Sequence, residues 1–491
     1  MITKTLAKVR KSKSPRIPVS QAINEHEMTL KHWGLWLITG GGFALDGFDL
    51  FIIGVAMPLL LHQFTWLQTD PFMIGLLAAA APIGAIIGAA VFGRLTDTLG
   101  RKFILLLNML IFIVFSILCG LAWSVWSLIV FRFIAGIGIG GEYPVNSSYI
   151  AELIPKKNRK RMQVGNFSFQ AIGAVAGALM GVILLQFIPH IWTWRIMLGI
   201  PAVFAAILFF FRLGMPESAK WLATKGKSKK AAENLSILSD EKIKLEKREE
   251  IKTKYTDIFK PKFLKLTVLS AVPWFLMDIA FYGIGIFTPI ILSKLFKYNA
   301  HNFIEEDLHS IKSALFVDLF LILGIVIAII LIKKRGMIKL SSFGFYGMGI
   351  GMLLLMSSTY LLHTSLYTPL IILGFVLFYL CVNAGPNPMT FMIPARVYPT
   401  ELRATGHGFS AAFAKLGATV GIVLLPWMQQ KMGISGMALV MAATCFAGGI
   451  ITQFFAYLII KDRELYKYKK IIADLKGASY IAPLEEKSNE N

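Results

Sequence analysis

Charge is what this chain has least of: Asp, Glu, Lys and Arg make up 16% of 491 residues, against 56% hydrophobic, and the mean hydropathy is +0.64. Soluble domains carry about 25% charged residues, so a soluble fold is excluded and a membrane is the solvent that suits this composition. Cysteine is nearly absent. Cys119, Cys381 and Cys445 all lie inside apolar runs, which excludes a disulfide framework and a cysteine metal site. Acids are scarce beside bases, 28 against 50, for a formal net charge of +22. Such an excess can mark a nucleic-acid partner, but here the bases are dispersed among loops and none is expected.

Several other features are missing. No apolar h-region precedes Trp33, so no cleaved secretory signal is expected, although the basic stretch free of acids up to Glu25 is a weak likeness to an organellar transit peptide. No nucleotide fingerprint survives inspection. Thr224 to Ser228 reads TKGKS, but Trp221 stands where a phosphate loop needs its first glycine, and Gly136, Gly138 and Gly141 satisfy G-x-G-x-x-G without a preceding strand. No nucleophile and base pair or metal cluster is visible either. The expectation is therefore no enzyme, no cofactor and no metal, with work driven by a gradient.

What is present is a series of apolar segments, each about 20 residues or longer, the length that crosses a bilayer as helix. Twelve recur from Trp33 to Ile460, which predicts an all-α polytopic membrane protein. The basic residues sit in alternate loops: Lys4 to Arg16, Arg94 to Lys102, Lys156 to Arg161, Lys220 to Lys265, Lys333 to Lys339 and Lys461 to Lys476. The loops near Asp70, Ser124, His190 and His363 hold almost none, so both termini are expected in the cytoplasm. The division that follows is a basic tail (1–32), a six-span half (33–213), a polar linker (214–262), a second half (263–460) and a tail (461–491).

Polar side chains inside the spans carry the functional signal, because an ionisable group at bilayer depth costs roughly 3 kcal/mol on insertion scales and is tolerated where it faces a pathway or a partner. In Pro273 to Gly285, PWFLMDIAFYGIG, the positions i, i+4 and i+8 put Trp274, Asp278 and Tyr282 on one helix face. The first span carries GGFALDGFDLF, with Asp46 and Asp49 at i, i+3; a proton site facing a central cavity is one reading and an ion pair with a base of another span the other. The fourth holds Arg132 and then GIGIGGEYPVNSSYIAE, in which Pro144 is expected to break the helix and present Glu142, Tyr143 and Asn146 near the midplane. Glu142 stands between proton handling and a buried ion pair. Glu152, at the end of that span, reads as a salt bridge.

Gln170 alone in the fifth span reads as a bond between helices, and Asp318 in the eighth is open between a gating pair and a structural group. In the tenth, Pro386, Pro388 and Pro394 are expected to interrupt the helix and free carbonyls and Asn387 for a ligand. Lys415, the only charge in its stretch of the eleventh, suggests an anion flanked by its ammonium and the Asp278 carboxylate.

GRLTDTLGRK, Gly93 to Lys102, resembles the signature loop of the major facilitator superfamily, which implies a fold of two six-helix halves and a gating role for Arg94, Asp97 and Arg101. Met215 to Leu222, MPESAKWL, resembles the motif closing the sixth helix of sugar porters and implies a second latch at Glu217. KKRGMIK, Lys333 to Lys339, falls where a second signature loop would be, without its Asp.

DGFDLF, GGEYP, Gln170, WFLMDIAFYG, GPNPMTF with Pro394 and TGHGFSAAFAKLGA together resemble the phosphate:proton symporter family of that superfamily. The resemblance implies that phosphate is held midway across the bilayer by Tyr143, Gln170, Trp274, Asp278, Tyr282, Asn387 and Lys415, with proton-linked acids at Asp46, Asp49 and Glu142. The family's GGDYP is here GGEYP, and VNSS, Pro388 and Met389 also depart from it. The partners implied are inorganic phosphate, protons and the bilayer of the plasma membrane, with no obligate protein partner. A transporter of an organic anion or sugar, and a phosphate sensor without net transport, remain open.

Overall fold

The computed structural model describes residues 18–25, 27–239, 245, 253–296 and 300–475. The basic stretch Lys4 to Arg16, much of the linker and the end of the C-terminal tail lie outside the described residues.

Ten long helices precede the last one: α1 (Leu30–Gln63), α2 (Pro71–Leu99), α3 (Arg101–Gly120), α4 (Val125–Leu153), α5 (Lys156–Phe187), α6 (Thr193–Leu213), α7 (Pro261–Leu295), α8 (Phe303–Ile332), α9 (Met337–Ser358) and α10 (Tyr367–Val397). The next run, Arg403–Ile459, is 57 residues long, about 86 Å as one helix and far longer than the roughly 30 Å hydrocarbon core. It is two spans. Gly433, at φ +68° and ψ −175°, reverses the chain, in a backbone region that a side chain disfavours. The stretch from Arg403 to that break is α11 and the one after it α12, which makes twelve spans in two halves of six. Alternation of direction gathers the basic loops at one end of the bundle, here termed the basic end.

Small residues set the helix spacing. A Cβ at Gly84 or Gly88 of α2 would strike the backbone of α4, and one at Gly136 or Gly140 of α4 would strike that of α2. Gly47 and Gly173 do the same between α1 and α5, and Gly417 and Gly421 between α11 and α7. The two halves touch in like manner: Gly54 of α1 lies against the Ile286 backbone of α7, and Gly93 of α2 against Ala404 and Gly408 of α11.

Two expectations about proline are corrected. α4 runs unbroken through Pro144. In α10 the break falls at Gly385 (φ −132°, ψ −102°), and the helix resumes at Pro386 and continues through Pro388 and Pro394 to Val397. Proline removes one backbone donor, and in a bundle neighbouring groups make up for it.

Candidate functional site

The polar face expected on α7 points into the middle of the bundle, where side chains of both halves meet. Trp274, Asp278 and Tyr282 are each 1% exposed, and so is Lys415 of α11. Lys415 Nζ donates to Asp278 Oδ2 at 3.0 Å and lies over the Tyr282 ring at 4.0 Å and the Tyr143 ring at 4.8 Å, so its charge is met by one carboxylate and two π faces. From α5, Gln170 Nε2 donates to the Tyr143 hydroxyl at 2.6 Å and to the Tyr282 hydroxyl at 3.1 Å. Each hydroxyl therefore accepts from Gln170, and because the two hydroxyls also bond each other at 3.5 Å, one phenol proton bridges them and the other is left to donate. The Trp274 ring stands tilted to Tyr143 and edge-on to Phe391 and His407.

Two acceptors of this cluster, Asp278 Oδ1 and Gln170 Oε1, are buried without a hydrogen-bond partner. Unmet polar atoms at such depth cost about 1–3 kcal/mol each, and a ligand bearing hydroxyl donors would relieve both. The arrangement thus offers an ammonium, a phenol donor and two open acceptors at the seam between the halves. Asn387 of α10, grouped with these residues in the sequence, instead donates to Asn383 Oδ1 at 2.7 Å.

The acids of the first half find partners that the sequence did not reveal. Asp49 meets Arg132 Nη2 of α4 at 3.4 Å. Glu142 is held by both terminal nitrogens of Arg212, from the end of α6, and accepts from Asn146 at 2.7 Å. Asp46 has no ion pair among the described residues. It faces Glu142, Arg212, Lys415 and Asp49 electrostatically, and its Oδ2 is buried without a partner. Asp46 therefore lies between the Glu142–Arg212 pair and the Lys415 cluster. Asp318 of α8 is buried beside the Tyr379 hydroxyl, which also bonds Thr288 of α7 at 2.6 Å.

At the basic end the expected latch residues form one network. Asp97 pairs with Arg101 at 3.2 Å and accepts from both the backbone nitrogen and the hydroxyl of Thr405, at 2.9 and 2.8 Å. It thereby caps the first turn of α11 from the opposite half. Glu152 binds Arg101 at 2.9 Å, accepts from Ser218 at 2.5 Å and meets Arg403 of α11 at 3.5 Å, rather than the Lys156 to Arg161 stretch beside it. Glu217 accepts from the backbone nitrogens of Arg101 and Lys102 at 3.0 and 3.2 Å, capping α3. Burial holds the Glu217 carboxyl above the usual range. Arg94 reaches the hydroxyl and carbonyl of Thr253 in the linker, and that hydroxyl reaches the Glu401 carbonyl. At the other end His62 of α1 packs on Phe303 of α8 at 4.2 Å. The side chains of the central cluster are buried between the two ends.

The functional groups that sequence reasoning missed are Arg212, Thr405, Arg403 and His407. His407, fully buried, bonds the Phe391 carbonyl through Nε2 at 3.0 Å and stands against Trp274; its place in GHG was a signal available from the sequence.

Comparison with known proteins accords with this geometry. A family model described as sugar (and other) transporter matches residues 35–471. Low affinity inorganic phosphate transporter 3 of Petunia hybrida is 30% identical over 456 residues, spanning 83% of this chain and 84% of its own. Inorganic phosphate transporter 1-1 of Arabidopsis thaliana is 29% identical over 455 residues, spanning 83% and 86%. Among solved structures, the partially occluded inward-open xylose transporter XylE from E. coli superposes with a TM-score of 0.70 at 18% identity, covering 86% of this chain and 97% of that one. The human organic anion transporter MFSD10 gives 0.63 at 14% identity, with 86% and 99% covered. These two likenesses speak for the fold alone. Fold and sequence agree that the chain is an integral membrane transporter, and that it belongs to the sugar (and other) transporter family of the major facilitator superfamily.

Proposed function

We propose that this transporter imports inorganic phosphate together with protons, by rocking of its two halves around the Lys415–Asp278 cluster, with both termini in the cytoplasm of a plasma-membrane protein. The observation that carries the reading is the pairing of one buried ammonium with two open acceptors, Asp278 Oδ1 and Gln170 Oε1. Dihydrogen phosphate has two hydroxyl donors for those acceptors and two unprotonated oxygens, sharing one negative charge, for Lys415, Tyr143, Tyr282 and Trp274. Sulfate has no hydroxyl near neutral pH and would leave Asp278 facing a like charge, at a cost of several kcal/mol. A sugar would satisfy the acceptors but bring no anion to Lys415. Relatives named as inorganic phosphate transporters support the same substrate.

Proton coupling rests on the acids beside the cluster, Asp46, Asp49 and Glu142. One monovalent phosphate carried with one proton moves no net charge. The membrane potential, about 2.3 kcal/mol per charge per 100 mV, then contributes only if more protons travel. Opening the basic end requires the Asp97–Thr405 and Glu152–Arg403 contacts to part, and opening the other end requires α1 to leave α7 and α8.

The test is uptake of radiolabelled phosphate by proteoliposomes with and without an inward proton gradient. Gradient-driven uptake that resists excess sulfate and is abolished in Asp278→Asn and Lys415→Ala is the expected result. Normal uptake by Asp278→Asn would overturn the site, and binding without uptake would make the protein a sensor.

A further inference from the structure

The basic end holds more cation than its latch can use. Arg159 of α5, Lys220 in the short helix Ala219–Thr224, Arg396 of α10 and Arg403 of α11 converge there; the first three feel mainly the guanidinium charges of their neighbours, whereas Arg403 feels Glu152 first. Lys220 faces Arg159 and Arg403, Arg159 faces Arg403 and Arg396, and Arg396 faces Arg403. The carboxylates within reach among the described residues are shared. Arg101 draws on Asp97, Glu152 and Glu217, which leaves Arg159 and Lys220 a share of Glu152 and Arg403 a share of Glu152, Asp97 and Glu401. Hydrogen bonding does not absorb the excess either. Arg159 donates to the Ile154 carbonyl and Asn24, Arg396 to Gln163 and Arg403 to the Ala395 carbonyl. Arg396 Nε and Nε2 of Gln163, a residue 1% exposed, remain buried without hydrogen-bond partners, and Arg403 Nη1 has only its 3.5 Å ion-pair contact with Glu152.

Arg159 comes from the first half, Lys220 from the linker, and Arg396 and Arg403 from the second half, so the cluster is assembled only when the halves meet at this end. Bringing four like charges together opposes that meeting unless something neutralises them. Burial and the neighbouring guanidinium groups lower the Lys220 ammonium from its ordinary 10.5 to about 7, as expected of a cation whose share of Glu152 does not offset them. Guanidinium forks with open N–H groups suit tetrahedral oxyanions.

We propose that Arg159, Lys220, Arg396 and Arg403, with Gln163, form an oxyanion site present only when the basic end is closed, and that its occupant locks that end shut. The site is distinct from the Lys415 cluster and does not depend on phosphate being the transported solute. Because no carboxylate among the described residues stands free in it, it accepts sulfate as readily as phosphate.

The test uses the full chain carrying Asp278→Asn with Lys415→Gln, which silences the central cluster without stranding a charge, in nanodiscs of phosphatidylcholine. Sodium sulfate is expected to raise the unfolding temperature, and to shorten the distance between labels at the basic ends of α5 and α11, while sodium chloride at equal ionic strength does neither. Adding Lys220→Gln and Arg396→Gln should weaken the apparent sulfate affinity by at least about tenfold. Lys220→Gln alone, which removes a repelled charge, serves if the combination does not fold. Absence of a sulfate-specific effect, or an effect undiminished in these variants, would overturn the proposal. Repeating the titration in discs with phosphatidic acid separates the sources: competition assigns the occupant to a lipid headgroup, and its lack to a free anion.

Discussion

The Glu142–Arg212 pair joins α4 to α6 in full burial, with Glu142 3% exposed and Arg212 0%. Arg212 Nη2 lies 2.9 Å from Glu142 Oε2, Nη1 holds Oε1, and Nη1 also donates to the Leu105 carbonyl of α3 at 3.1 Å. Removing one member strands a charge that Asn146, a carbonyl or, for Arg212, Asp46 can only partly meet, so Arg212→Met and Glu142→Gln should each cost roughly 3–5 kcal/mol. Removing both leaves nothing to strand. Glu142→Gln with Arg212→Met should therefore cost less than either single change, a coupling read from the four unfolding midpoints of a double-mutant cycle. Additive costs would refute the claim that the two side chains stabilise by pairing. The same protein addresses the proton role proposed for Glu142, which expects uptake in the stable double variant to lose its response to a proton gradient. Retained gradient dependence would remove Glu142 from the proton path.

Other expectations follow from single contacts. A Cβ at Gly42 would lie 2.6 Å from Glu142 Oε2 and nearer still to Arg212, so Gly42→Ala should destabilise by about 1–3 kcal/mol. Gly34→Ala, in the same helix with nothing within 4 Å of the new methyl, should be neutral or stabilise by up to about 1 kcal/mol; equal midpoints for the two would refute the crowding argument. Asp97→Asn should loosen the cap on Thr405 and part the basic end, lengthening the distance between spin labels at the exposed positions Leu99 and Phe259; an unchanged distance would show that other contacts hold it. For Lys220, whose folded-state value is about 7 against an ordinary 10.5, the unfolded chain binds more protons between those limits, so stability rises with pH across them. The penalty of its charge is complete below about pH 7, and Lys220→Gln should raise the unfolding temperature most at pH 6 and progressively less towards pH 10. A gain independent of pH would show that the charge is not the cause.

How far the site was legible in the sequence depended on whether the signal lay along one helix or between two. Apolar length marked the spans, and 3.6-residue periodicity put Trp274, Asp278 and Tyr282 on one face, because both are properties of a single helix. Lys415 stood out as a lone charge in an apolar stretch. Proline was over-read at Pro144, where one missing donor did not break α4, while the break in α10 fell at the more permissive Gly385. Partners were the illegible part. Arg132 lies 83 residues from Asp49, and Arg212 lies 70 from Glu142, and no spacing rule relates residues on separate helices. Near the helix ends, moreover, an arginine in the sequence is indistinguishable from an interfacial anchor. The consequence reaches the proposed mechanism. Of the first half's midplane acids, Asp49 and Glu142 have guanidinium partners, whereas Asp46 has no ion pair among the described residues and has a buried, unbonded oxygen. A buried carboxylate that the bundle does not neutralise meets that cost most directly by taking up a proton, so within the symport reading the proton falls first to Asp46, close enough to Lys415 for arrival of an anion there to alter its charge balance.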